Sequence, residues 1–193
     1  MSPAESPLFQ PMPLGPLRPR GRVFKTATSE TRATADGFVT DSLLEFYEPI
    51  ARAGTPLIIS GNMYPSLQGK STPLQAGVDH DDKIPGLRRW AELVHRHGGL
   101  LIGQLNHSGR QVFPASVNLE RALSASPVQE KVMGTRPRAL TFPEVREVVA
   151  SFAAAAARCR EAGFDGVQIH AAHGYLVNQF LTPYTNRRPD EYG

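Results

Sequence analysis

Residues 141–170 read TFPEVREVVASFAAAAARCREAGFDGVQIH and predict one helix followed at once by one strand. Thr141 and Glu144 have the three-residue spacing of a capping box, which marks a helix start. Gly163 ends the helical pattern, and Gly166 to His170 form a short apolar run of strand length. Between the capping box and Gly163, apolar side chains recur on one helical face, namely Val145, Val148, Val149, Phe152, Ala156 and Cys159.

The same alternation of strand and helix extends back to Arg22. Strands that alternate with helices indicate an α/β fold with a parallel sheet. We predict four strands, at Val23–Ala27, Leu57–Ser60, Leu100–Leu105 and Gly166–His170. We predict three helices, from Asp41 to Ala53, from Pro85 to Gly98 and from Thr141 to Gly163, and Pro49 is expected to kink the first.

The composition is that of one globular domain, with 40% hydrophobic and 20% charged residues in 193. Six prolines within residues 1–20 predict a tail that leads into a short lid, and residues 21–193 are predicted to form the domain. The single cysteine, Cys159, and the lack of a signal-like segment favour the cytoplasm. No apolar run approaches the roughly 20 residues of a membrane span. A charge of +3 from scattered basic residues gives no support for nucleic-acid binding.

Polar and small residues cluster at the predicted strand ends. In a parallel barrel the loops after the strands build the active site. The long segment Asn106–Leu140, predicted to lack regular structure, is typical of a functional loop. We therefore expect the residues at the four ends to surround one pocket: Thr26, Ala27, Thr28 and Ser29; Ser60, Gly61 and Asn62; Gln104, Asn106 and His107; His170, His173 and Tyr175.

The last of these groups has the residues that reduction of a carbonyl-activated alkene needs. His170 and His173 can donate hydrogen bonds to an oxygen that gains negative charge, and Tyr175 can supply a proton. The amide of Gln104 suits the acceptor and donor edge of a flavin ring. Thr28 and Ser29 offer hydroxyl groups at a neighbouring strand end.

A metal site is the competing interpretation, because His170 and His173 are three positions apart and His107 could join them. Zinc would need a further Cys or acidic ligand at defined spacing, and none is evident. A metal-dependent hydrolase stays an alternative on these residues. The segment Gly69-Lys70-Ser71 lacks the leading glycine of a P-loop, and no strand is followed by Gly-x-Gly-x-x-Gly, so neither nucleotide motif is predicted.

Longer motifs surround these residues. The carboxyl-terminal ones are His170-Ala-Ala-His173-Gly-Tyr175-Leu176, Phe180-Leu-Thr-Pro183 and Thr185-Asn-Arg-Arg-Pro-Asp-Glu-Tyr-Gly193. Together they resemble the signature of the NADH:flavin oxidoreductase, or Old Yellow Enzyme, family. The resemblance covers the chain from about Leu8 onward and is supported by Gln104-Leu-Asn-His-Ser-Gly-Arg110, Ile58-Ile-Ser-Gly-Asn62 and Lys25-Thr-Ala-Thr-Ser-Glu30.

The resemblance implies a (β/α)8 TIM barrel, of which this chain would hold about the first four βα units. It implies FMN as the cofactor, NADH or NADPH as the reductant and an activated alkene as the substrate, as in an ene-reductase. His170 and His173 would hold the electron-withdrawing oxygen of the substrate, and Tyr175 would protonate its α-carbon. Ser29 stands where some members have a cysteine. The residues implied to bind the flavin are Ala27, Thr28, Ser29, Gly61, Gln104 and His170.

The family's barrel continues beyond the position of Gly193, so the chain is expected to stop before the fourth helix and to hold half of the barrel. A second chain or a carboxyl-terminal half would then complete it, and strands one and four would have unpaired edges. By itself the chain is expected to bind FMN weakly or not at all. Two functional alternatives remain open: a non-catalytic relic or assembly partner, and a relative of dienoyl-CoA reductases or amine dehydrogenases.

Overall fold

A computed structural model describes residues 6–193, and the first five residues of the predicted tail lie outside this range. The described range contains four α-helices and five short strands. The helices are α1 Asp41–Arg52, α2 Ile84–Arg96, α3 Phe142–Glu161 and α4 Leu176–Leu181. The strands are β1 Leu57–Ile59, β2 Leu100–Leu105, β3 Leu123–Ser124, β4 Arg138–Ala139 and β5 Gly166–Ile169.

Three of the strands form a parallel sheet in the order β1-β2-β5. Leu57 pairs with Leu100 at one end, and Leu105 pairs with Ile169 at the other. Helix α2 lies between β1 and β2 in the chain, and α3 lies between β2 and β5. The predicted α/β architecture with a parallel sheet is therefore confirmed, and the carboxyl ends of the strands lie at one edge.

The prediction of a full strand at Val23–Ala27 is wrong. In this segment Lys25 alone forms a β-bridge, to Ile58. Its N–H donates to the Leu57 carbonyl at 3.1 Å, and its carbonyl accepts from the Ile59 N–H at 2.9 Å. None of residues 23–27 is buried, and Val23 is exposed. Little apolar burial is thus available to stabilise a longer ladder.

Local signals explain where the helices begin. The Thr141 hydroxyl accepts a hydrogen bond from the Glu144 N–H, and the Glu144 carboxylate accepts one from the Thr141 N–H, so the predicted capping box of α3 is formed. The Thr40 hydroxyl caps α1. Helix α1 continues through Pro49 to Arg52 without a new helix start. The kink expected at Pro49 stays a prediction.

The main core lies between the sheet and helices α1, α2 and α3. Its centre is a chain of aromatic rings. Tyr47 and Trp90 have ring centroids 4.7 Å apart, and Trp90 meets Phe164 at 6.0 Å in an edge-to-face arrangement. Cys159 is buried in this core, as its place in the α3 pattern predicts, whereas Val149 of the same pattern is exposed.

Two further segments differ from the expectation. Residues 106–140 contain regular structure, because β3 pairs with β4 and a 3-10 turn forms at Pro114–Val117. A short helix, α4, follows β5. The prediction that the chain stops before the fourth helix of the barrel stays a prediction. The strands β3 and β4, the 3-10 turn and helix α4 are all too short to give a periodic sequence pattern.

The described part of the tail, residues 6–20, lies at the amino ends of the strands. The Arg20 guanidinium donates to the His97 carbonyl at 2.6 Å, one residue after α2 and just ahead of β2. A Cβ on Gly21 would approach Pro56, which precedes β1, to 3.0 Å. The predicted lid therefore lies at the end of the sheet opposite to the strand tips.

Candidate active site

The carboxyl ends of the parallel strands and the segment after Lys25 enclose a pocket of about 490 Å³. Most of the residues expected at the strand ends line it, and those that do not are Thr26, Ser60, Gly61, Asn106 and His107. This result confirms the expectation that the strand ends converge, because one parallel sheet carries these residues on the same edge. The lining residues are Ala27, Thr28, Ser29, Asn62, Gln104, Gln168, Ile169, His170, Ala171, Ala172, His173 and Tyr175.

Three aromatic side chains stand together where β5 ends. The rings of His170 and His173 have centroids 5.1 Å apart, and the rings of His170 and Tyr175 have centroids 4.9 Å apart. Both pairs meet nearly edge to face. Ala171 and Ala172 between the imidazoles add little bulk, so a flat ligand can approach the rings.

The hydrogen bonds of His170 define where its proton lies. Its Nδ1 accepts from the Ala172 N–H at 3.2 Å, so the neutral ring carries its proton on Nε2. That Nε2 is 3.3 Å from Nδ1 of His173, which then accepts the bond and carries its own proton on Nε2. Burial, and next the neighbouring His173, lower the pKa of His170. In this arrangement the Nε2–H of His170 is engaged by His173, and the Nε2–H of His173 is the donor of the pair that is left for a ligand.

Tyr175 is the proton-bearing group of the cluster. Burial raises the pKa of its phenol above the ordinary value of 10.0, so the hydroxyl keeps its proton at neutral pH. The loop that carries it is held by Gln111, whose Nε2 donates to the His173 carbonyl at 3.1 Å. His173 itself has a positive φ of 56°, which turns the chain sharply after β5.

Gln104 and Gln168 form a pair of amides on adjacent strands. They are register partners in β2 and β5, so their side chains point to the same face of the sheet. The Gln104 Nε2 donates to the Gln168 Oε1 at 2.7 Å. Gln168 was not among the residues predicted to form the site. Its position two residues before His170 on one strand was the signal that could have assigned it to the pocket.

Gly61 is the predicted flavin-binding residue that does not line the pocket. Its N–H donates to Glu30 Oε1 at 2.8 Å and to the Tyr47 hydroxyl at 2.9 Å. A Cβ at this position would come within 1.9 Å of the Glu30 carboxylate. A side chain at this position would force the Glu30 carboxylate to move. Gly61 is not among the residues that line the pocket, and its role in flavin binding stays a prediction.

Asn106 and His107 follow β2 but are buried outside the pocket. His107 lines a separate cleft with residues that include Gln68 and Leu140. It therefore does not join His170 and His173. Across residues 6–193 no three His, Cys, Asp or Glu side chains are grouped in a way that could hold a metal ion. None of the helices in that range combines the length and the apolarity needed to cross a bilayer.

Comparison with known proteins identifies relatives over nearly the whole chain. Residues 7–193 match the model of the NADH:flavin oxidoreductase / NADH oxidase family. An NADH oxidase of Thermoanaerobacter brockii is 39% identical over 189 residues, which are 96% of this chain and 29% of that relative. An NADPH dehydrogenase of Listeria monocytogenes serotype 4a is 42% identical over 159 residues, which are 82% of this chain and 46% of that relative.

Comparison with solved structures also identifies a relative from the Old Yellow Enzymes. The Old Yellow Enzyme homologue of Zymomonas mobilis superposes with a TM-score of 0.87 and 34% identity, over 97% of this chain and 55% of that one. The chain therefore has the fold of about half of a TIM barrel. It spans less than two thirds of the length of these relatives.

Proposed function

Because the chain belongs to the NADH:flavin oxidoreductase / NADH oxidase family, a family of FMN-dependent oxidoreductases, we propose that it carries the substrate-activating part of an ene-reductase. The reaction is the reduction of an activated C=C bond with NADH or NADPH. The observation that carries this proposal is the pocket in which Gln104, both imidazoles and the Tyr175 phenol meet.

The polar groups of the pocket fit a flavin ring. The ring presents carbonyl acceptors and one N–H donor along its pyrimidine edge, and the amides of Gln104 and Gln168 offer both donors and an acceptor. Thr28 and Ser29 add hydroxyl groups on the neighbouring segment. We therefore assign FMN binding to Ala27, Thr28, Ser29, Gln104 and His170.

The imidazoles would hold the carbonyl oxygen of the substrate. Once a substrate oxygen replaces the contact between the two rings, the Nε2–H of His170 and the Nε2–H of His173 can both be directed at it. Donors aimed at an oxygen stabilise the negative charge that develops there in the transition state more than they stabilise the ground state. FMN, when bound, would supply hydride chemistry at the β-carbon, with NADH or NADPH as the reductant. His170 and His173 would thereby set the position of the alkene.

Tyr175 would complete the reaction by protonating the α-carbon. Its raised pKa keeps the phenol protonated, and the ring lies against His170, so it borders the place where the substrate oxygen is held. A general acid in such a position typically contributes a factor of about 10² to 10⁴ to the rate.

The barrel also needs further βα units. Strand β5 pairs only with β2 among the described residues, and its Val167 and Ile169 side chains are exposed. An apolar groove beside it is lined by residues that include Val149, Phe152 and Phe180. Because the Zymomonas relative continues for nearly half its length beyond the matched part, we propose that a carboxyl-terminal half-barrel of this family covers the groove and tightens FMN binding.

The proposed function can be tested by measuring FMN binding and alkene reduction in the parent protein and in two variants. We expect saturable quenching of FMN fluorescence by the protein at high protein concentration, and its loss in Gln104→Leu. With NADPH and cyclohexenone, the protein should raise product formation above that of free FMN. Tyr175→Phe should lower this rate by about tenfold or more and leave the Kd for FMN unchanged, because the phenol acts on the substrate.

Gln129→Leu is the matched control, because it removes an exposed amide outside the pocket and should leave both readouts as they are in the parent. A parent protein that neither binds FMN nor accelerates reduction, even when a carboxyl-terminal half-barrel of the family is added, would contradict the proposal. Binding without any turnover would instead favour the non-catalytic alternative.

A further inference from the structure

The amide of Gln104 has one partner within residues 6–193. Its Nε2 donates to Gln168 Oε1 at 2.7 Å, whereas its Oε1 has no hydrogen-bond partner in that range. Both side chains line the pocket. Gln104 therefore presents an acceptor to any ligand that enters, because its donor end is turned toward β5.

Orientation matters for an amide because its two ends have opposite hydrogen-bonding character. A glutamine that is free to turn by 180° about its last bond offers either an acceptor or a donor at the same point. If Gln104 alone turned over, its Oε1 would face Gln168 Oε1, and two acceptors would oppose each other. The contact thus couples the orientation of Gln104 to that of the Gln168 amide.

We propose that Gln168 is a positioning residue, which fixes the Gln104 amide so that Oε1 accepts a hydrogen bond from the imide N–H of the flavin. This inference rests on the proposed function, because it takes FMN as the ligand of the pocket. It adds a residue to the site and gives it a role that acts through Gln104. Val167, the preceding residue of β5, points to the opposite face of the sheet and does not line the pocket.

Substitutions at position 168 change the hydrogen-bonding groups of the side chain while the residue keeps its position on β5. In Gln168→Glu a carboxylate accepts from Gln104 Nε2 and cannot donate, so the same orientation is enforced. In Gln168→Leu no polar partner remains, and Gln104 is free to turn. Val167→Ala changes the neighbouring position on the other face and is the matched control.

A modified flavin tests the same hydrogen bond from the side of the ligand. Methylation of the imide nitrogen of FMN removes the one donor that Gln104 Oε1 is proposed to accept. We expect the parent protein to bind FMN about tenfold more tightly than N3-methyl FMN, which corresponds to about 1.4 kcal/mol. Gln168→Leu should reduce this ratio severalfold toward one. Gln168→Glu and Val167→Ala should keep it, whatever their effect on absolute affinity.

NMR spectra of the flavin-free protein provide a readout that does not depend on binding. The side-chain amide protons of Gln104 should shift and exchange faster with water in Gln168→Leu, and stay near their parent positions in Gln168→Glu. Unchanged Gln104 signals in Gln168→Leu would overturn the contact.

The binding ratios decide the orientation. A parent that binds both flavins equally, or a Gln168→Glu variant that loses the preference, would overturn the proposed role of Gln168 while leaving flavin binding in place. A parent that binds neither flavin, even when a carboxyl-terminal half-barrel of the family is added, would refute the proposed function instead. In that case the NMR comparison alone decides whether Gln168 orients Gln104.

Discussion

His107 shows what the burial of one titratable side chain does to this protein. The ring is 1% exposed, its Nδ1 accepts from the Gly109 N–H at 3.1 Å, and its Nε2 has no partner within the described range. Burial lowers the pKa of His107 to about 4. The folded protein therefore keeps this imidazole neutral across a pH range in which an unfolded chain protonates it.

We predict that this residue makes the fold sensitive to acid. Between pH 6.5 and 4 the unfolded chain binds a proton at His107 and the folded chain does not, so the free energy of unfolding decreases as the pH falls. The loss should reach roughly 3 kcal/mol near pH 4, from about 1.4 kcal/mol per unit of pKa shift. Urea unfolding of the parent and of His107→Gln at pH 7 and pH 4 measures it.

His80→Gln is the control for removal of an imidazole, because His80 is exposed. It should lose as much stability on acidification as the parent, whereas His107→Gln should lose less. Equal losses in the parent and in both variants would show that another group is responsible.

At the scale of elements, the start of α3 combines a capping box with an ion pair. The Glu144 carboxylate accepts two hydrogen bonds from the Arg138 guanidinium, at 2.7 and 2.8 Å, and one from the Thr141 N–H at 2.7 Å. The Arg138 guanidinium, followed by the Thr141 backbone, lowers the pKa of Glu144 to about 2. The turn therefore ties β4 to the helix.

We predict that Thr141→Ala lowers the free energy of unfolding by about 1 kcal/mol, because the first turn of α3 loses its side-chain acceptor. Glu147→Gln, one turn later on an exposed face, should change stability by less than about 0.5 kcal/mol. Denaturant unfolding of both variants and the parent checks this. A Thr141→Ala variant as stable as the parent would show that Glu144 and Arg138 hold the turn without the cap.

The elements that the sequence predicted well are those whose signals are local. The signals for α3 lie within the helix itself: its capping box is formed, and Val145 and Cys159 of the predicted apolar face are buried, whereas Val149 is exposed. The extended run at Val23–Ala27 depends on a ladder with β1, a partner distant in the chain, so its length could not be predicted. The same applies to the site. His170 and Gln104 follow strands, but the pairing of Gln104 with Gln168 is a matter of register between strands.

On the scale of the whole molecule, β5 and the groove beside it form one apolar surface. Val149 and Val167 are both exposed there, and Ile169 borders the groove and the pocket at once. Whatever covers the groove therefore also closes one side of the proposed active site. The Zymomonas relative, of which this chain covers 55%, has the remaining units in the same chain.

We predict that the carboxyl-terminal half of the Zymomonas barrel, added as a separate polypeptide, binds this protein and lowers the Kd for FMN at least tenfold. Val149→Glu should weaken the association, because it places a charge in the groove. Val132→Glu is the matched control, since Val132 is 92% exposed and lies outside the groove. Light scattering measures the association and FMN fluorescence the affinity. No complex, or equal effects of the two variants, would contradict the proposed cover.

The tail at the amino ends of the strands gives experimental access to the molecule. Leu14 is exposed at this end, remote from the pocket, so Leu14→Cys offers an attachment point for a dye or a surface. The native thiol would not compete, because burial raises the pKa of Cys159 to about 12 and leaves almost no reactive thiolate at neutral pH. The protein can thus be tethered or labelled at the amino ends of the strands while ligands enter the pocket at the carboxyl ends.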